Sequence, residues 1–308
     1  MSDYAITTQG LTKKYGHFVA VNHVDMHIPE GSIYGFVGEN GSGKTTIMRL
    51  LMGLARPSEG EYQLFDVSNK DRHIYDVRQK ISAIVEAPSL VPTMTARDNL
   101  KFACMYYGVR DLKVIDEILQ MVGLKDTGKK KVKNFSLGMR QRLGIAVLLL
   151  NNPQLLLLDE PMNGLDPQGI ADLREIIINL NKKGITILIS SHILSELEKV
   201  ATHWGFISHG NLIQEISAED LLKTCQKSIE VYHSDGDKLE KALRDLGIKR
   251  FENVGNNHYR IYDEGVKVTD LLVSLRKSGL EIESVRTLDI NIEDYYLSLV
   301  ARGGANND

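Results

Sequence analysis

Gly38-Glu39-Asn40-Gly41-Ser42-Gly43-Lys44-Thr45-Thr46 follows an apolar run at residues 33–37 and precedes a helix-like run at residues 47–52. The spacing G-x-x-x-x-G-K-[ST] between a strand and a helix is that of a phosphate-binding loop. Glycines let backbone N–H groups turn toward phosphate oxygens, and the start of the helix adds its positive dipole end. This loop (residues 38–46) therefore predicts an α/β fold with a nucleotide site. Lys44 would reach the β- and γ-phosphates, and Thr45 would bind Mg²⁺.

The bulk composition is that of a globular protein with a full core. The chain has 308 residues, of which 43% are hydrophobic and 25% charged, enough for one large domain or a large and a small one. A net charge of −3 provides no basic field for nucleic acid or an anionic membrane surface. No apolar stretch reaches the roughly 18–20 residues of a membrane span. We therefore expect no nucleic-acid partner, and a membrane role only through another chain.

Changes of pattern along the chain predict its domains. Residues 1–226 have an α/β rhythm, interrupted by a mainly helical insertion at about residues 88–150. Residues 227–302 follow the order β-α-β-β-α-β, which indicates a small α+β domain of the ferredoxin-like type. The Gly- and Asn-rich tail, residues 303–308, is expected to be disordered.

An acidic pair, Asp159 and Glu160, follows the four leucines of residues 155–158. A continuous apolar run of this length is typical of a strand buried on both faces. Carboxylates at its end would place Asp159 near Thr45 and the metal, and Glu160 where it can polarise an attacking water. The alternative is two acids that face solvent at a strand end.

Three further motifs surround the acidic pair. Residues 134–142 have the sequence NFSLGMRQR, residues 161–166 have PMNGLD, and residues 190–192 have SSH at the end of a later apolar run. With the loop and the acidic pair in this order, the chain resembles the ATP-binding subunit of an ATP-binding-cassette (ABC) transporter over about residues 4–220. The resemblance implies a P-loop ABC-type ATPase domain with a helical subdomain, which binds ATP and Mg²⁺ and hydrolyses ATP.

The signature motif (residues 134–142) keeps Ser136 and Gly138 but has Leu137 and Met139 where the family has glycine and glutamine. In this family the same helix end reaches the γ-phosphate held by a second subunit. The resemblance therefore implies a dimer of cassettes, most simply a homodimer, with two ATP molecules between them. The alternative for Ser136 is an ordinary helix N-cap.

Glu86 departs from the family pattern, and this departure indicates a particular subgroup of the family. The family usually has glutamine here, between the metal site and the membrane partner. Glutamate together with this signature motif resembles the subgroup that exports bacitracin or gives self-immunity to lantibiotics. A carboxylate can still meet Mg²⁺ or its water, but it adds a charge that an amide lacks. The alternative is a solvated loop glutamate.

Position within these motifs implies a role for each candidate residue. Glu160, His192 and Lys44 would be catalytic, and Thr45, Glu86 and Asp159 would hold the metal. The nucleotide would also contact Tyr15, as the aromatic that stacks on adenine, together with Gly38, Glu39, Asn40, Gly41, Ser42, Gly43, Lys44, Thr45, Thr46, Glu86, Ser136, Gly138 and Asp166.

We expect an exporter subunit that is peripheral, on the cytoplasmic face of the cell membrane. It would power separate integral-membrane permease subunits that transport a peptide antibiotic or lantibiotic. Two alternatives remain open from the residues: a non-transport ABC protein that acts on the ribosome or DNA, and a nucleotide-binding regulator that does not hydrolyse.

Overall fold

The computed structural model describes residues 3–225, 227–263, 266–288 and 291–304, which form two compact units. The second unit is Glu219–Ser298, and the first contains the described residues before and after it. The chain passes from the first unit to the second between residues 218 and 219, ahead of the predicted boundary at residue 226, which itself lies outside the described residues.

The first unit alternates strands and helices around one central sheet. In chain order its elements are β1 (Tyr4–Tyr15), β2 (Phe18–Val24), β3 (His27–Pro29), β4 (Ile33–Val37), α1 (Lys44–Leu51), β5 (Glu59–Leu64), β6 (Val67–Ser68), α2 (Ile74–Arg78), β7 (Ile81–Ile84), α3 (Ala96–Tyr107), α4 (Val114–Met121), α5 (Leu137–Leu149), β8 (Leu155–Leu158), α6 (Pro167–Asn181), β9 (Thr186–Ser191), α7 (Leu194–Leu197), β10 (His203–Ser208) and β11 (Asn211–Ser217).

The central sheet has the strand order β11-β10-β4-β9-β8-β7 and is parallel except for β11. The four leucines of β8 are fully buried, as the apolar run predicts. The carboxyl ends of parallel strands meet at one edge of a sheet, where α/β proteins bind their ligands. The segments that follow β4, β8 and β9 therefore converge there, which brings the phosphate-binding loop, the acidic pair and His192 together.

A second sheet and a group of helices complete the first unit. The second sheet has the order β2-β1-β5-β6, with β3 also paired to β1. The predicted helical insertion consists of α3, α4 and α5. Thr95 caps α3, since its hydroxyl oxygen accepts a hydrogen bond of 3.1 Å from the Asp98 backbone N–H. Among the described helices, none combines the length and the apolar character that crossing a bilayer requires.

The second unit has the predicted element order β-α-β-β-α-β. After helix α8 (Ala218–Thr224), its elements are β12 (Ser228–Tyr232), α9 (Gly236–Asp245), β13 (Phe251–Gly255), β14 (His258–Ile261), α10 (Val268–Lys277) and β15 (Ser284–Leu288). The four-stranded sheet is antiparallel, with the order β13-β14-β12-β15, and the buried side chains of α9 and α10 pack against one face.

The last helix, α11 (Ile292–Gly304), corrects the prediction for the tail. Residues 303–304, predicted as disordered, are helical, while residues 305–308 lie outside the described residues. A glycine disfavours a helix by only about 1 kcal/mol, which is too little to stop a helix that already has several turns.

Candidate active site

Close packing of its glycines holds the phosphate-binding loop in shape. Gly43 is the N-cap of α1 and has a φ of 108°, and a Cβ added there would lie 2.6 Å from the carbonyl oxygen of Ala20. A Cβ on Gly38 would collide with the backbone of Ile207, on β10. Only glycine fits at these two positions, so the loop is fixed by steric contacts rather than by its exposed side chains.

Lys44 turns back over the loop from the first turn of α1. Its ammonium donates hydrogen bonds of 2.6 Å to the Gly38 carbonyl oxygen and 3.1 Å to the Glu39 carbonyl oxygen. The Ser42 hydroxyl beside it is buried and has no hydrogen-bond partner among the described residues. A buried cation and an unsatisfied buried hydroxyl at a helix start fit the oxygens of a phosphate group.

Asp159 lies at the end of β8 with both carboxylate oxygens occupied by hydroxyls. Thr45, the second residue of α1, donates a hydrogen bond of 2.6 Å to Oδ2, and Ser190, at the end of β9, donates one of 2.6 Å to Oδ1. The Ser190 oxygen also accepts a hydrogen bond of 2.8 Å from the Glu160 backbone N–H. The predicted proximity of Asp159 to Thr45 is therefore present, and it is fixed from the neighbouring strand.

Ser190 was not among the predicted site residues. The sequence signal that could have found it is a hydroxyl directly after the buried apolar residues 187–189, near the end of the strand that leads into His192. A buried hydroxyl in an apolar strand needs a hydrogen-bond partner, and the acidic pair on the adjacent strand supplies one.

Glu160 is held between two basic side chains. Its Oε2 atom is 2.7 Å from Nδ1 of His192, and its Oε1 atom is 3.5 Å from Nζ of Lys44. The backbone of Glu160 is in the left-handed region, with a φ of 47°, a conformation that costs a non-glycine residue about 1–3 kcal/mol and often marks a functional site. Buried Oε1 has no hydrogen-bond partner among the described residues, so it can accept a proton from water.

Glu86, predicted as a metal ligand, pairs with a basic side chain outside the predicted site residues. It follows β7 with a φ of 73°, and its carboxylate accepts a hydrogen bond from the guanidinium of Arg49 on α1. The Thr45 hydroxyl and the Asp159 carboxylate bond to each other instead. The structure thus brings Thr45 and Asp159 together and pairs Glu86 with Arg49, a residue that the sequence motifs did not indicate.

The signature motif contains a helix N-cap, and the residues 161–166 end in one. Ser136 caps α5 by accepting a hydrogen bond of 3.2 Å from the Met139 N–H, and Asp166 caps α6 by accepting one of 3.1 Å from the Gly169 N–H. A Cβ added to Gly138 would lie 3.5 Å from the Cα of Gly169. The two helix starts are therefore packed backbone against backbone, with Ser136 exposed at the surface.

Tyr15 ends β1 with its ring half-exposed. The ammonium of Lys13 lies 4.9 Å from the centroid of the ring. An exposed aromatic ring of this kind offers a face on which a nucleotide base can stack.

Known proteins are similar to this chain in both sequence and fold. The family model described as ABC transporter matches residues 21–163. The bacitracin transport ATP-binding protein BcrA of Bacillus licheniformis is 39% identical over 300 residues, which cover 97% of this chain and 98% of that protein. The lantibiotic transport ATP-binding protein SrtF of Streptococcus pyogenes is 47% identical over 207 residues, or 67% of this chain and 88% of that protein. The dimeric structure of the cassette MJ0796 in a post-hydrolysis state, bound to ADP and Pi, has a TM-score of 0.62 at 25% identity, over 69% of this chain and 98% of that chain.

Proposed function

Because the chain belongs to the ABC transporter family, as an ATP-binding subunit that hydrolyses ATP, we propose that it powers the export of a peptide antibiotic by separate membrane subunits. The observation that carries this proposal is the similarity to BcrA, which extends over 97% of the chain and so includes the second unit. Similarity to SrtF supports the same substrate class, bacitracin or a lantibiotic. The relatives give no support to a ribosome- or DNA-associated protein or to a regulator that does not hydrolyse ATP.

Glu160 is the residue that activates water in this proposal. The water oxygen forms a bond to the γ-phosphorus, the bond from that phosphorus to the bridging oxygen breaks, and ADP and phosphate leave. Oε1 of Glu160, which has no hydrogen-bond partner among the described residues, orients the water and accepts its proton. His192 fixes the carboxylate through Oε2 and faces the γ-phosphate, while Lys44 offsets the phosphate charge.

Mg²⁺ would be held by the hydroxyl of Thr45 and the carboxylate of Asp159. Hard cations prefer such oxygen ligands, and the two groups already meet at 2.6 Å. Bound Mg²⁺ supplies positive charge to the β- and γ-phosphate oxygens. Glu86 would contribute to the metal site only after it leaves Arg49. The phosphates would lie along the loop backbone from Gly38 to Thr46, and adenine on Tyr15.

We further propose that the working unit is a homodimer of cassettes. Ser136 is the exposed N-cap of α5, and Gly138 is a buried residue in its first turn. The hydroxyl and the backbone N–H groups at this helix start would meet the γ-phosphate bound by the second copy. Asp166, which starts α6, would lie at the same junction. The dimeric state of the related MJ0796 cassette supports this arrangement.

The surface proposed for the permease is a cleft of about 340 Å³ in the first unit. Its walls are the residues that follow α1, the segment at residues 83–90, and one side of α5, and they are mostly apolar. Nearby in the chain, α3 exposes Phe102, Met105 and Tyr106, the last two by 82% and 83%. Exposed apolar patches mark contact sites for protein or membrane. Contact with the permease would place the subunit on the cytoplasmic face of the membrane as a peripheral protein.

We assign the second unit to the ferredoxin-like class. Its element order β-α-β-β-α-β is the one that defines this class, and its sheet is antiparallel throughout.

The decisive experiment expresses the chain in a sensitive bacterial host together with the membrane subunit encoded beside its gene. We expect the pair to raise the concentration of bacitracin or of a lantibiotic that the host survives. Lys44→Ala, which removes the loop ammonium, should abolish the gain. Unchanged sensitivity to every peptide, or co-purification of the chain with ribosomes, would overturn the proposal.

A further inference from the structure

We propose that Arg49 is a positioning residue that fixes where the Glu86 carboxylate lies, and that this pairing makes a glutamate workable at a position where the family usually has glutamine. The inference rests on the proposed ATPase site, because Glu86 matters only if nucleotide and metal bind beside it. It concerns a residue outside the motifs that define that site.

The two residues belong to elements with different tasks. Arg49 lies on α1, the helix that begins with Lys44 and Thr45, so it moves with the phosphate-binding loop. Glu86 follows β7 in a left-handed backbone conformation, with a φ of 73°. A left-handed conformation is unfavourable for a residue with a Cβ. The side chain of Glu86 forms an ion pair with Arg49.

Charge balance explains why the partner is an arginine. The site already contains the carboxylates of Asp159 and Glu160, with Lys44 as the buried cation between loop and acids. Nucleotide phosphates add further negative charge. A third carboxylate would repel them, and the guanidinium of Arg49 offsets its charge, which a glutamine would not require.

The pair is also exposed enough to open. The side chains of Arg49 and Glu86 are 41% and 67% exposed, and exposed ion pairs contribute little free energy because water screens them. The Glu86 carboxylate can therefore exchange the guanidinium for a metal ion or a water bound to it. Arg49 thus positions the carboxylate by a contact that is weak enough to be broken when metal binds.

Two of the three walls of the cleft proposed for the permease adjoin this pair. Val85 and Ala87, on either side of Glu86, line the cleft. So do Met52 and Leu54, just after the helix that contains Arg49. Opening of the ion pair would therefore change the contact between these two walls.

A double-mutant cycle tests the inference on the purified full chain. Arg49→Gln, Glu86→Gln, the double variant and Arg49→Lys are compared in two measurements. The first is amide hydrogen exchange of residues 85–90 without nucleotide. The second is the ratio of the dissociation constants of a fluorescent ATP analogue measured with EDTA and with Mg²⁺.

We expect Arg49→Gln and Glu86→Gln each to speed the exchange of residues 85–90 by about two- to fivefold, and the double variant no further. Arg49→Gln should also raise the EDTA-to-Mg²⁺ ratio, because the released carboxylate repels bare ATP and can reach the metal. Adding Glu86→Gln should return that ratio to its wild-type value, and Arg49→Lys should retain most of the wild-type behaviour. A purely structural role for Arg49 would not make the metal effect depend on residue 86.

The matched control is the ion pair of Arg97 with Asp116, whose side chains are 43% and 52% exposed. Arg97→Gln and Asp116→Asn should leave the amide exchange of residues 85–90 unchanged. They should also leave the EDTA-to-Mg²⁺ ratio of the dissociation constants unchanged. Additive effects of the Arg49 and Glu86 substitutions, in a chain that still hydrolyses ATP, would overturn the inference alone. Absence of ATP hydrolysis by the wild-type chain with its permease would instead overturn the proposed function.

Discussion

The hydroxyl of Thr45 lies 2.6 Å from a carboxylate oxygen of Asp159, although 114 residues separate them in the chain. Ser190, from a third segment, donates to the other carboxylate oxygen at 2.6 Å. One hydrogen-bonded chain therefore joins the segments that follow β4 and β8 to the end of β9. The parallel sheet, and not local sequence, sets the geometry of the oxygens that we propose for the metal.

Ser190→Ala should damage both stability and activity. The substitution leaves one oxygen of buried Asp159 and the Glu160 N–H without their partner. An unsatisfied buried polar group costs about 1–3 kcal/mol, and loss of a residue that orients metal ligands costs about 10- to 100-fold in activity. Urea unfolding and phosphate release measure the two effects.

Ser82→Ala is the control for this experiment. Ser82 is buried on β7 but makes only a long hydrogen bond of 3.4 Å to the Leu148 carbonyl oxygen. Its loss should change stability by less than about 1 kcal/mol and leave ATP hydrolysis intact. Wild-type hydrolysis by Ser190→Ala would show that the Asp159 carboxylate does not need this hydroxyl.

Glu160→Gln should bind ATP, accumulate as a dimer and lose turnover. An amide keeps the shape of the side chain but cannot accept the proton of water, so the rate should fall by about 10²–10⁴-fold. Phosphate release measures turnover, and light scattering with ATP measures the dimer. Glu117→Gln, at an exposed position on α4, should behave as the wild type. Normal hydrolysis by Glu160→Gln would remove this residue from the mechanism.

Gly43→Ala should be far more harmful than Gly41→Ala. Both glycines have a positive φ, of 108° and 84°, but an added Cβ meets the Ala20 carbonyl oxygen at 2.6 Å only at Gly43 and finds open space at Gly41. We expect Gly41→Ala to cost about 1–2 kcal/mol from backbone strain alone, and Gly43→Ala to lose ATP binding as well. Titration with a fluorescent ATP analogue compares the affinities of the two variants. Equal affinities would mean that the phosphate-binding loop is not fixed by steric contacts.

Glu230 should make the second unit sensitive to acid. Burial alone would raise the pKa of this carboxyl, but hydrogen bonds from Arg286, Arg260 and His258 hold the pKa below its usual 4.5. The folded state therefore favours the charged form, and its contribution is present above about pH 4.5 and lost as the pH falls through the lowered pKa. Urea unfolding followed by circular dichroism at pH 7 and at about pH 4 measures the loss.

Glu230→Gln should lower stability at pH 7 by about 1–3 kcal/mol, because charged hydrogen bonds are lost, and should flatten the dependence on pH. The exposed Glu281→Gln in the same unit should do neither. The fluorescence of Trp204, the single tryptophan and a buried residue of β10, follows the first unit separately. If the stability of Glu230→Gln depends on pH as steeply as that of the wild type, Glu230 is not the source of the acid sensitivity.

The sequence was sufficient for those features that a local pattern encodes. A run of four leucines before two acids predicted buried β8 with Asp159 at its end, and the loop before a helix predicted α1. The alternation of elements after residue 226 predicted the order of strands and helices in the second unit. Each of these follows from periodicity and strand–loop–helix context within a few residues.

The features that the sequence did not reveal depend on contacts between distant segments. Ser190 acquires its importance only because β9 lies beside β8 in the sheet, and Arg49 only because the backbone of Glu86 turns left-handed toward α1. The prediction for residues 303–304 was wrong for another reason. Their glycine composition suggested disorder, but the preceding turns of α11 were enough to continue the helix. A hydroxyl in an apolar strand predicts that it has a hydrogen-bond partner, but a single sequence does not indicate which distant segment supplies that partner.

The contact between Gly138 and Gly169 has a mechanical consequence. With no side chain between them, the starts of α5 and α6 are in direct backbone contact, so a displacement of α5 at this point would be passed on to α6. When Ser136 contacts a phosphate that is bound by the partner copy, the resulting displacement of α5 would therefore also displace Asp166. Each copy would then respond to the nucleotide of its neighbour through two helices at once. Gly169→Ala should disturb this response through the cap of α6, because a Cβ added there would lie 2.7 Å from Oδ1 of Asp166.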